Sequence, residues 1–220
     1  SIPKGTAFVL SANATDAENP NTLTYTWEQY DSSTSAVTNV TGNNTTGPKF
    51  RSIKGTNNPT RFFPKESMVL AGSLSSATEW EAVSNVARAM KFRVTVRDNH
   101  SDVKQQQTQF AVQDITVTND GPFKVTSTKL YNNGNVPLTW DVANTNNTPY
   151  NVTNVKIDYT TNNGTSWTTL TESTANDGSE ILDFSSLSVG TDIKVRIKAI
   201  DNVFYAVGNA TISTLLDCDG

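Results

Sequence analysis

An all-β chain, arranged as two tandem β-sandwich domains, is the fold class that the sequence predicts, and three observations predict it. The stretch "FRVTVRDNH" at 92–100 alternates Phe92, Val94 and Val96 with Arg93, Thr95 and Arg97, the period of a strand buried on one face. "VRIKAIDNV" at 195–203 repeats the pattern and again closes on Asp-Asn. Elsewhere Thr, Asn, Ser and Gly crowd between short apolar runs, as in proteins of many strands and turns. A length of 220 residues suits two domains of about 100 to 120 each.

The first domain is expected over 1–120. A strand is predicted at 6–12 and a second at 23–29, where Leu23, Tyr25 and Trp27 share one face; a mid-strand Trp covers a large apolar area between two sheets. Residues 31–90 read as a long insertion. Within it "DSSTSAVTNVTGNNTTGP" is a polar loop and "KFRSIKG" a short strand. "SATEWEAVSNVARAM" spaces Trp80, Val83, Val86, Ala87 and Met90 as either a short helix or an irregular turn would. Strands resume at 91–98 and 108–118.

Turn formers stack at "TNDGPF", 118–123, and mark the boundary to a second domain over 121–220. "VPLTWDV" places Trp140 in an early strand, echoing "LTYTWEQ". Further strands fit at 153–160, 165–171, 179–184, 192–200 and 204–213, and Asn162-Asn163-Gly164 signals a hairpin because these residues tolerate positive φ. About seven strands with a Trp in an early one predict an immunoglobulin-like or fibronectin III-like sandwich. The first domain reads as the same architecture carrying its insertion.

Composition excludes some functions. With a net charge of −4, the chain lacks the basic face that displaces counterions from nucleic acid. No apolar run approaches the ~20 residues of a membrane span, and "SIPKGTAFVL" has neither the basic start nor the apolar middle of a signal peptide, so the start reads as internal to a longer polypeptide. Cys218 is the single cysteine, so an intrachain disulfide and a Cys-based metal site are both excluded. His100 is the single histidine, which rules out two-histidine zinc motifs; its neighbours Ser101 and Asp102 are too close in sequence to converge on one carbonyl as a triad. His100 reads as a solvated loop residue.

Glu79 and Glu81 flank Trp80, but charges around one Trp are the ordinary pattern of an amphipathic segment rather than the facing acids of a glycosidase. Tyr25, Tyr30, Trp80 and Trp167 would stack on sugar rings if exposed. Oxygen ligands form the better constellation: Asp16, Glu18 and Asn19 in "ATDAENP", with Asp98, Asn99 and Asp102 in "RDNHSD". Calcium takes six to eight hard oxygens, and loops at one end of a sandwich can supply them. The same residue types also cap turns by bonding their own backbone, and Asp201 with Asn202 forms a poorer version of the loop.

"ATDAENPNTLTYTWEQYD", "FRSIKGTNNPTRFFPK", "LAGSLSSATEWEAVSNVARAMKFRVTVRDN" and "NDGPFKVTS...VPLTWDVANT" resemble the non-catalytic region that follows the catalytic domain in reprolysin-like zinc metallopeptidases of Bacteroidetes. The resemblance runs from about residue 2 to about residue 212 and is most specific over "RFFPK...LAG" to "FRVTVRDN". It implies a secreted or cell-surface bacterial protein whose peptidase domain lies N-terminal to this region. None of that family's zinc motif stands in this chain, so no catalytic role transfers to any residue and zinc is not expected here. The implied function is an accessory region that positions or anchors the enzyme or contacts its protein substrate; a carbohydrate- or surface-adhesion module is the alternative.

Overall fold

The computed structural model describes residues 1–18, 22–33 and 36–215, so Asn19 and Cys218 lie outside the described residues. The chain divides into two compact units, Ser1–Glu66 with Leu74–Asn119, and Ser67–Ser73 with Asp120 onward. Both are β structures with cores of their own.

The first unit contains β1 (Ala7–Ser11), β2 (Thr24–Gln29), β3 (Thr60–Phe63), the two-residue strands β4 (Ser75–Ser76) and β5 (Glu81–Ala82), β6 (Arg88–Arg97) and β7 (Thr108–Val117). One sheet has the order β2-β6-β7, all antiparallel, and β1 pairs antiparallel with β3. The alternation read from the sequence sets the faces: Tyr25 and Trp27 on β2, and Met90, Phe92 and Val94 on β6, are all buried. Phe8, Phe50, Phe63 and Phe92 form the centre, with Phe8 stacked on Phe63 at 5.0 Å and Phe92 edge-on to Phe63 at 4.8 Å. Truncating a ring in such a cluster typically costs about 3–5 kcal/mol.

Two local expectations change, and the choice between helix and irregular turn over 76–90 falls to the turn. Residues 31–90 are not wholly an insertion, because β3 lies within them and pairs with β1 through Phe8↔Phe63 to Ser11↔Thr60. "KFRSIKG" contributes a single bridge, Phe50↔Glu81; Phe50 is drawn into the aromatic core while Arg51, Ser52, Ile53 and Lys54 stay exposed and find no ladder. The segment 76–90 forms no helix. Trp80 turns through a left-handed conformation (φ 53°), Glu81 begins β5, and Met90 faces the core from β6, so the helix-like spacing spans separate short pieces.

A buried ion pair fixes that turn. The Arg61 guanidinium meets Glu81 at 2.8 Å and also donates to the carbonyls of Trp27 and Arg51, while the second Glu81 oxygen accepts the Lys65 backbone N–H. Both charges have a partner, as a buried pair requires, although the Arg61 Nε–H is buried without an acceptor. Glu79 instead pairs with Lys65 near the surface, where the Lys65 ammonium holds its carboxyl below the usual range.

The second unit takes in α1 (Glu66–Leu70) from Ser67 onward, then β8 (Lys124–Val125), β9 (Lys129–Tyr131), β10 (Asn135–Asp141), β11 (Asn154–Thr160), β12 (Thr168–Ala175), β13 (Ser179–Asp183), β14 (Asp192–Ala199) and β15 (Phe204–Ser213). One sheet has the order β13-β10-β8; the other runs β12-β11-β14-β15, with β9 parallel to β15. A three-stranded sheet facing a second sheet built on four antiparallel strands, with β9 added at β15, is a fibronectin III-like arrangement, and the fold class is an all-β sandwich. Trp140 is buried, its indole N–H donating to Asn176, whose amide in turn donates to Thr145 and to the Val152 carbonyl. The β11–β12 hairpin turns through Asn163 (φ 55°) and Gly164 (φ 86°).

The two Asp-Asn endings leave their strands differently. In the first unit the left-handed residue is Asn99 (φ 53°), and in the second it is Asp201 (φ 61°). Similar letters therefore make two turns offset by one residue.

Candidate functional site

A cleft of about 700 Å³ opens beside β7 in the first unit. Its floor comes from the inward row of the β2-β6-β7 sheet: Trp27, Val94 and Val96, continued on β7 by Gln109, Ala111 and Gln113. Its wall is the segment 11–18, which runs on from β1. Gln105 and Gln107 close one end together with Asp98.

The cleft exists because β7 is not covered. Seven residues of this strand, Thr108–Asp114, are exposed on both faces, and only Ile115 and Val117 are buried. An inward-facing row of Gln109, Ala111 and Gln113 open to solvent is unusual in a sandwich, where that row normally meets the opposite sheet. On the outward face Phe110 and Val112 are 67% and 58% exposed, beside Arg93, whose guanidinium lies 5.9 Å from the rings of both Phe110 and Tyr30.

β7 is also an edge. Its backbone alternates between bonds to β6 and groups aimed away from it. The Thr116 carbonyl and the Thr118 N–H both bond Ile2, on the side away from β6, so the even-numbered residues face outward. The N–H groups of Phe110, Val112 and Asp114 therefore point along the free edge, where no described strand continues the pairing that Ile2 begins.

The residues expected to bind calcium divide between this cleft and its surroundings. Asp16, Glu18 and Asp98 all line it, as the meeting of two loops at one end of the sandwich requires. Two of them also bond locally: Asp16 accepts the Glu18 N–H at 2.9 Å, and Asp98 accepts the N–H groups of His100 and Gln107 at 3.2 and 2.9 Å. Asn99 points elsewhere, donating to the Thr22 and Arg97 carbonyls and the Thr24 hydroxyl. Asp102 accepts the Lys104 N–H and the Gln105 amide. Among the described residues no three His, Cys, Asp or Glu side chains gather closely enough to hold one ion. His100 accepts the Asp102 N–H in the same loop.

The aromatics singled out for sugar stacking lie in different environments. Tyr25 is buried, Trp80 is half-buried, and Tyr30 is 43% exposed. Trp167 carries the Arg196 guanidinium 3.9 Å from its ring centre, so that stacking face is already taken.

Sequence reading located 108–118 as a strand but missed Phe110 and Val112 as surface residues. The signal was present: apolar residues fall at even positions, 110 and 112, then switch to odd ones, 115 and 117. Such a phase change within one strand moves the apolar face from one side of the sheet to the other.

No family model matches the chain, and no curated protein matches it. Among solved structures the chain is similar to the "Crystal structure of chicken CNTN1 FN1-FN3 domains", with a TM-score of 0.30 and 12% identity. That match covers 97% of this chain, which spans 64% of the other.

Proposed function

We infer that this chain is a non-catalytic accessory region that binds polypeptide, contacting the protein substrate or the neighbouring peptidase domain of a secreted zinc metallopeptidase of the kind its sequence resembles. The observation that carries this reading is the cleft beside β7, with its partly apolar floor and its exposed strand edge. Main-chain donors in a row suit another polypeptide, because only a backbone presents acceptors at the matching spacing. Support for a carbohydrate module is thinner, since among its four candidate rings only Tyr30 is exposed.

Two measurements test the reading. Immobilised chain should bind unfolded, carboxymethylated casein saturably and bind no member of a polysaccharide panel; the reverse result would assign it to adhesion. Incubated with casein and zinc, the chain should leave the casein intact. Cleavage abolished by a chelator would overturn the non-catalytic assignment.

A further inference from the structure

The geometry points to a specific mode of recognition: a cationic, extended segment of another polypeptide adds as a strand to the free edge of β7, its basic side chains reaching Asp16, Glu18 and Asp98. This rests on the polypeptide-binding reading above and adds to it the conformation and charge of the partner.

Three independent observations converge. The outward N–H groups of Phe110, Val112 and Asp114 form a donor row of antiparallel-edge spacing, and exposed edges of this kind are templates for strand addition. Both faces beside that row offer apolar contact. A strand laid along it would set alternate side chains beside Gln109, Ala111 and Gln113 at the mouth of the cleft, and the others beside Phe110 and Val112 on the opposite face of the sheet. The third observation is charge. Asp16, Glu18 and Asp98 line the cleft, and no Lys or Arg is among its described lining residues; Arg97 and Lys104 stand on the adjoining segment without lining it.

That charge pattern chooses among occupants. A second copy of this chain pairing β7 to β7 would bring two acidic clefts together and add Asp114 from each strand, so like charges would meet. An acidic peptide meets the same repulsion. A segment with Lys or Arg at one end and small apolar residues alternating behind it satisfies every feature at once.

The test uses the whole chain and fluorescein-labelled decapeptides read by anisotropy. One alternates Val and Thr and ends in two lysines, a second ends in two glutamates, and a third is the lysine peptide N-methylated at alternate residues. Saturable binding is expected for the first, at least about tenfold weaker binding for the second, and none for the third. Val112→Pro removes one outward N–H and leaves the ladder to β6 intact, a substitution that edge strands tolerate. It should abolish binding of the lysine peptide while the far-ultraviolet spectrum is unchanged, whereas Val112→Thr should keep it. Should Val112→Pro fail to fold, the N-methylated peptide decides alone. Undiminished binding of the N-methylated peptide, or equal binding of the glutamate peptide, overturns strand addition or its charge preference, yet leaves polypeptide binding standing. Loss of binding to every peptide and to unfolded casein overturns the underlying reading instead. A dimer in sedimentation that Val112→Pro dissolves would make the occupant a second copy and overturn the proposal.

Discussion

Lys49 is fully buried, its ammonium donating to the Thr41 carbonyl at 2.6 Å and its backbone N–H to the Gln29 side chain. Burial first, and the nearby Arg88 charge second, lower its pKa to about 8. Below pH 8 folded and unfolded chains both carry the proton, and the cost of burying the charge is paid in full. Between pH 8 and the unfolded value of 10.5 only the unfolded chain keeps it, so stability rises with pH across that window. The gain is about 3 kcal/mol at most. Urea denaturation of wild type and Lys49→Met at pH 7.5 and at pH 10.5 should show it: the wild type gains on the variant as pH rises. Parallel pH profiles would mean that this ammonium is solvated.

At the scale of the element, the turn from β6 to β7 is built by side chains that fold back onto their own backbone. Asp98 accepts two N–H groups across the turn, a role that any anionic or amide oxygen at that position fulfils without a metal. Asp98→Ala should lower the unfolding midpoint by the equivalent of about 0.5–2 kcal/mol, equally in millimolar calcium and in chelator. A calcium-dependent rise of the wild-type midpoint, absent from Asp98→Ala, would instead establish a cation in the cleft. Strands were legible in sequence wherever one face is buried, since burial enforces period two; Phe92 to Arg97 and Asp192 to Ala199 are of that kind. Three acids of the cleft were legible too, because loops at one end of a sandwich are neighbours. What stayed hidden depends on partners distant in sequence. Glu81 is buried only because Arg61 reaches it, and β3 is a strand only because β1 lies beside it.

For the molecule as a whole, the division into units does not follow chain order, because Ser67–Ser73 belong with Asp120 onward. Met68, Val69 and Leu70 are buried there, and Leu70 lies against Gly164 closely enough that a side chain at Gly164 would collide with it. Leu70→Ala should therefore destabilise the second unit by about 2–5 kcal/mol, although it stands within the first unit's stretch of sequence. Hydrogen exchange resolved by peptide would check this: protection should fall over β11 and β14 and hold over β6. Loss confined to β6 would place the helix with the wrong core.

That displaced helix also sets an order of events in the making of the protein. Translation delivers Met68, Val69 and Leu70 well before the strands of the unit to which they belong, β15 arriving some 140 residues later. At ~5–20 residues per second this interval is on the order of ten seconds. For that time three apolar side chains have no core to enter, while the first unit is completed about 50 residues after Leu70, well before their own. The newborn chain thus holds open a loop that only the last strands can close, and chaperone capture during synthesis should concentrate there.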